Sequence, residues 1–200
     1  MAGPHSGIQA EGQGSANLPF RHRRGGREHS TGMGASEGFG MMDDEKAHFR
    51  KVLGHYPTGV CAITAKTPDG TATAMIVGSF TSVSLDPPLV GFFPDKQSSS
   101  WSAISVCDGF CVNVLGSSQE ALCRQLASKD PRKFEGVAHT LSPRGAPLID
   151  GALAWIDCSM HSVSEAGDHL LVLGAVESFE IATPGDPLLF HKGSYGKFTA

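Results

Sequence analysis

The sequence predicts a mainly β protein, an antiparallel barrel with short capping helices. Three observations predict it. Many short β-branched runs are divided by Gly, Pro and Asp turns; only two or three stretches have helical character; and there is neither β-α-β alternation nor a Gly-x-Gly-x-x-Gly fingerprint. Two hundred residues with 40% hydrophobic content suffice for one ordinary domain with a real core. No run approaches the roughly 18–20 apolar residues that a membrane-spanning helix needs, and a formal charge of −4 singles out no partner. No basic stripe with interleaved aromatics suggests nucleic acid.

Residues 1–42 differ from the rest. They are rich in Gly, Ser, Arg and His, lack periodicity, and gather Arg21, His22, Arg23, Arg24 and Arg27 into a small basic cluster. Such a segment buries too little apolar surface to offset the entropy of ordering it, and it lacks the apolar centre of a signal peptide. It reads as a disordered extension before a domain over 43–200, with Met41 or Met42 a candidate start.

Asp44 to Leu53 opens acidic and turns apolar at Phe49, Val52 and Leu53, a short amphipathic helix that Gly54 ends. Val60–Thr67 and Thr71–Val77 read as strands around the turn Pro68-Asp69-Gly70, and Ser79–Leu85 and Pro88–Phe93 as two more around Asp86-Pro87. Ser98 to Val106 reads as a helix with serines at its start, and Phe110–Leu115 as a strand. Ser117 and Glu120 have capping-box spacing for a helix through Leu126. A loop-rich stretch through Lys133-Phe134 leads to Pro147. Ala152–Val163 and His169–Ile181 are long strands joined at Ser164–Asp168, and Pro187–Phe190 is a last short one.

The five cysteines, Cys61, Cys107, Cys111, Cys123 and Cys158, are odd in number and form no Cys-x-x-Cys. They argue against a disulfide framework and a zinc site, and no metal site is expected. Most lie in apolar runs, where free cysteine acts as a small hydrophobe. A reduced, cytoplasmic protein is the simplest reading.

Three windows carry chemistry. Gly78 to Pro88 holds Ser79, Thr81, Ser82 and Ser84 on a segment that its prolines keep extended; it can offer backbone donors to a planar heteroaromatic ring, or be an edge strand with solvated hydroxyls. Lys96-Gln97-Ser98-Ser99-Ser100-Trp101 sets hydroxyls and a lysine at a helix start, a site for an anion such as a phosphate, or an ordinary serine cap. Gly167-Asp168-His169 places a histidine at a strand entrance, where it can bond a carboxamide or shuttle a proton, or form a polar turn.

In this order, over roughly 150 residues, the chain resembles the flavin reductase-like proteins of the FMN-binding split-barrel fold. It looks most like reductase components of two-component flavin-dependent monooxygenases. The matching pieces are Pro57-Thr58-Gly59-Val60, Ser79 to Pro88, Phe110 to Leu115, Lys133-Phe134, Leu153 to Cys158, Gly167-Asp168-His169 and Pro187 to Phe190. The resemblance implies an antiparallel Greek-key split β-barrel and a homodimer with flavin near the subunit interface. It places the flavin ring along Ser79, Phe80, Thr81, Ser82, Val83 and Ser84 and beside Pro57, Thr58 and Gly59. It puts the phosphate at Lys96, Ser98, Ser99 and Ser100, next to Trp101, and the nicotinamide near His169, with Tyr195 a further candidate. Many relatives carry Thr-Ala-Asn where this chain has Ile76-Val77-Gly78, so contact there must come from backbone.

The implied activity is an NAD(P)H-dependent flavin oxidoreductase. Hydride from NADH or NADPH reduces FMN or FAD for a partner monooxygenase, and His169 orients the nicotinamide. A flavin-binding electron carrier without direct nicotinamide use is the alternative, and a ligand-storing barrel a third reading.

Overall fold

A computed structural model describes residues 42–198, so the expected extension lies, but for Met42, outside the described residues. Met42 belongs to the folded unit. Its N–H donates to Glu45 Oε2 at 3.0 Å and its carbonyl accepts from Lys46, capping helix α1 (Asp43–Leu53). Asp43, Asp44 and Glu45 occupy the first turn and Arg50 and Lys51 the last, each sign at the dipole end it favours.

Next come β1 (Thr58–Gly59), β2 (Cys61–Lys66), β3 (Ala72–Val77), β4 (Thr81–Leu85) and β5 (Pro88–Phe92). Helix α2 (Ser99–Ile104), β6 (Gly109–Val114), α3 (Glu120–Ala127), β7 (His139–Leu141) and β8 (Pro147–Ile149) follow. The chain closes with β9 (Ala154–Ala166), β10 (His169–Ile181), β11 (Leu188–His191) and β12 (Ser194–Lys197). The main sheet is antiparallel, in the order β3-β2-β6-β9-β10-β5-β4. Two small sheets, β1-β11-β12 and β7-β8, flank it.

β3 and β4 are the two outermost strands of this order, yet only Gly78–Phe80 joins them. Those residues reach at most about 14 Å from Val77 to Thr81, whereas seven strands laid flat would put the edges roughly 29 Å apart. The sheet must therefore curl until its edges face each other. No β3–β4 pairing exists among the described residues, so the result is a barrel split along one seam. The Phe93 N–H donates to Ser79 Oγ at 3.0 Å, stitching the crossing segment to the end of β5.

Two cores result. Inside the barrel, Phe92 meets Trp101 and Phe110 edge-on, with ring centroids 6.0 and 5.2 Å apart, among Ile63, Ile104 and Val172. Outside it, Val60, Ala62, Leu115, Leu126, Ile149 and Leu188 pack together beneath α3. β2 serves both, which is why five of its six residues are buried.

Several local expectations need correction. The stretch expected to be loop contains the β7–β8 hairpin, β12 follows the expected last strand, and the capping contact is shifted by one residue. Gln119 Oε1, not Glu120, accepts from the Gly116 N–H at 3.0 Å.

Candidate active site

The seam opens into a cavity of about 460 Å³. Its β3 side is Met75 to Val77 continuing into Gly78 and Ser79, and its β5 side is Phe93, Pro94 and Asp95. Ser98 and Ser100 enter from α2, Leu126 and Ala127 from α3, and Lys133 and His169 complete the wall. Apolar and polar surface share the lining about equally, Met75, Val77, Phe93 and Pro94 against Ser79, Asp95, Ser100, Lys133 and His169, as suits a planar ligand with a charged tail.

Ser100 Oγ accepts a 2.7 Å bond from Lys133 Nζ. Lys133 arrives on the loop after α3, and Gln125 holds that loop by donating to the carbonyls of Lys133 and Glu135, both at 3.0 Å. Burial lowers the Lys133 pKa, and among the described residues no carboxylate pairs with it. A half-buried cation beside a hydroxyl suits an anion. Ser98 is spent on capping, its Oγ accepting from the Trp101 N–H at 3.2 Å, and Ser99 does not line this cavity.

His169 is delivered by a tight turn in which Gly167 takes φ +67°, a conformation that favours glycine. The turn is fastened by a bridge between Asp95 and His169 and by Lys96 N–H donating to the Asp168 carbonyl at 3.1 Å. His169 Nδ1 lies 2.7 Å from Asp168 Oδ1. The hydrogen bond from His169 holds the Asp168 carboxyl below its ordinary value. An ionised carboxylate only accepts, so Nδ1 carries the proton and Nε2 is left to bond a ligand.

Of the residues singled out from sequence, Ser79, Ser98, Ser100 and His169 line this one cavity. Thr58 reaches its edge: a Cβ on Gly78 would lie 2.8 Å from Thr58 Oγ1, so glycine at 78 makes room for that side chain. Pro57 and Gly59 adjoin Thr58 without lining the cavity, and Phe80 packs on the barrel core. Thr81, Ser82 and Val83 are exposed along β4, with Ser84 half-buried.

Three residues expected at the site do not line this cavity. Trp101 is 5% exposed and belongs to the core. Lys96 pairs with Glu165, Nζ to Oε2 3.2 Å, while Lys133 lines the cavity. Tyr195 accepts from Cys123 Sγ at 3.3 Å beneath the Arg124 guanidinium, away from the cavity of its own chain. The helix expected to attract an anion by its dipole, α2, is only six residues long and brings little macrodipole. All five cysteines are buried and free; burial pushes Cys61 and Cys158 up to about 12, so neither is a thiolate nucleophile.

Residues 53–199 match the family described as flavin reductase like domain. The chain belongs to that family. It is 55% identical over 152 residues to a flavin reductase of Pseudomonas putida, covering 76% of this chain and 89% of the relative. It is 46% identical over 147 residues to the reductase subunit HsaB of a flavin-dependent monooxygenase of Rhodococcus jostii, covering 74% and 75%. The NADH:FAD oxidoreductase SgcE6 of Streptomyces globisporus, solved with NAD and FAD fragments, superposes with a TM-score of 0.73 at 34% identity, covering 78% and 94%. This flavin reductase-like chain thus shares both the split-barrel architecture and the sequence of its relatives.

Proposed function

We propose that the protein is a flavin reductase: it takes hydride from NADH or NADPH, reduces FMN or FAD, and supplies the reduced flavin to a partner monooxygenase. The observation that carries this reading is one cavity that joins an apolar slot, an anion site at Ser100 and Lys133, and a histidine with a free Nε2. A flavin fits that set, its ring against Met75, Val77 and Pro94 and its phosphate against Lys133 and Ser100. When bound, it supplies the hydride-accepting ring. The chain itself binds, orients and shields. His169 Nε2 accepts from the carboxamide of the nicotinamide, Asp168 fixes the tautomer, and the curled sheet excludes water from one side of the slot.

His169 on the cavity that would hold flavin favours direct nicotinamide use over the electron-carrier alternative. The kinship to reductase subunits supports an oxygenase partner, and five reduced thiols fit a cytoplasmic setting. A homodimer is part of the same reading, since Leu85, Ile181 and Phe179 are 93%, 80% and 71% exposed, large apolar side chains that a second copy would cover. Anaerobic mixing of protein, NADH and FMN tests the activity: the flavin absorbance should bleach with turnover, and flavin that binds without bleaching would leave only a carrier.

A further inference from the structure

Asp95 shares the cavity wall with His169, and the two are partners in an isolated antiparallel bridge. Hydrogen bonds flank the pair on both sides. The Leu170 N–H donates to the Pro94 carbonyl at 2.9 Å, and the Lys96 N–H to the Asp168 carbonyl at 3.1 Å. Asp95 and His169 are therefore a non-hydrogen-bonded pair, the narrower of the two antiparallel kinds, with Cα atoms about 4.5 Å apart and side chains on one face. That face is the cavity.

The Asp95 carboxylate is held in place but not neutralised. Its Oδ1 accepts from the Gln97 N–H at 2.7 Å. Among the described residues nothing bonds Oδ2, and no cation pairs with the carboxylate. Neighbouring Lys96 is taken by Glu165. A fixed carboxylate with free lone pairs can accept from two O–H donors at once, and the diol of a ribose offers such a pair. The spacing agrees. In a nicotinamide nucleotide the carboxamide and the ribose flank a single carbon of the ring, a separation on the scale of a cross-strand Cβ pair, roughly 4.5–5.5 Å. With His169 Nε2 on the carboxamide, Asp95 faces the ribose.

We infer that Asp95 binds the nicotinamide ribose of the hydride donor, its carboxylate accepting from the two ribose hydroxyls, and so selects nucleotide donors over dihydronicotinamides that lack the sugar. The inference rests on the proposed flavin reductase function and adds a second hold on the same substrate. Asp95 and His169 then fix the ring at two points, which sets its reacting carbon against the flavin.

The test compares NADH with N-benzyl dihydronicotinamide, which keeps the carboxamide and has no ribose, by anaerobic bleaching of FMN with the full chain. Asp95→Ala should lower the ratio of kcat/KM for NADH to that for the benzyl donor about tenfold or more, through lost charge-assisted hydrogen bonds. Asp95→Asn keeps the Gln97 contact, since its amide oxygen still accepts, but turns an amide N–H₂ toward the ribose in place of an acceptor. It should lower the ratio as well. If the alanine variant fails to fold, judged by circular dichroism, the asparagine variant decides. If the benzyl donor reacts too slowly to follow, the inhibition constants of NAD⁺ and N-methylnicotinamide supply the same ratio. A ratio that these substitutions leave unchanged, whether both rates fall together or neither falls, makes Asp95 a turn residue and overturns the inference alone. Wild-type protein that bleaches flavin with neither donor overturns the flavin reductase reading too.

Discussion

Lys133 is held half-buried against Ser100, and its lowered pKa records what that position costs the free protein. A bound phosphate would relieve that cost. Lys133→Met should therefore weaken FMN binding by about 1.5–3 kcal/mol, the range for a charge-assisted hydrogen bond, and barely change riboflavin binding; titrating both ligands separates the two. Lys96→Met should leave both affinities alone, since Lys96 is paired with Glu165. His169→Ala removes one neutral bond of roughly 0.5–1.5 kcal/mol, so kcat/KM for the nicotinamide should fall about three- to tenfold with flavin affinity unchanged. Unchanged single-turnover bleaching would reduce His169 to a turn residue. Asp157 is fully buried, and neither carboxylate oxygen reaches a hydrogen-bond partner. Burial raises its pKa, partly offset by the nearby Ser142 and Arg144. A carboxyl raised in the folded state stabilises the fold below its unfolded value and loses that contribution as pH rises through the folded one. Asp157→Asn should thus raise the urea midpoint at about pH 7 and not at about pH 3, below the ordinary Asp value. His169 was legible from its place in a turn before a long strand. The partnership of Lys133 with Ser100 was not, because it joins residues 33 apart that only the packing of α2 against the post-α3 loop brings together.

The β7–β8 hairpin shows why some elements escape sequence reasoning. Its strands are three residues each, and all of β7 is exposed, so no alternation reveals them. What holds the hairpin is a buried polar knot on the main sheet. Asn113 Oδ1 accepts from the Ile149 N–H at 2.8 Å, its Nδ2 donates to Thr64 Oγ1 at 3.0 Å, and Thr64 Oγ1 donates to the Pro147 carbonyl at 2.6 Å. In the sequence Asn113 is a polar interruption of the apolar run Phe110–Leu115, with nothing to say which face it occupies. Asn113→Leu strands at least the Ile149 N–H. At about 1–3 kcal/mol for an unsatisfied buried group, it should lower the urea midpoint with an unchanged m-value. Equal stability would mean that the hairpin is held by Ile149 packing alone. The long hairpin β9–β10, by contrast, was legible to within a few residues, because thirteen-residue strands impose a pattern that short ones cannot.

At the scale of the molecule, the decisive event is closure. The sequence shows two hairpins, Cys61–Val77 and Thr81–Phe92, but not that three residues between them join opposite edges of one sheet. That follows only once β6, β9 and β10 are inserted between the hairpins, and these pairings span long stretches of chain. Closure places the cavity at the seam, so every element lining it is anchored in the sheet or its caps. The described residues that line it all follow Met42, and the 41 residues before Met42 combine low apolar content, many glycines and four arginines. A chain starting at Met42 keeps the Glu45 cap of α1 and every described residue of both cores and of the cavity wall. It should retain its thermal midpoint within about 2 °C, a shift corresponding to only a few tenths of a kcal/mol. Its rate of NADH-dependent FMN bleaching and its mass by light scattering, twice that of one chain for the proposed homodimer, should match those of the full-length protein. A truncated chain that bleaches flavin more slowly or scatters as a monomer would show that the arginine-bearing segment takes part in the site or the interface, and the domain boundary would then move toward the N-terminus.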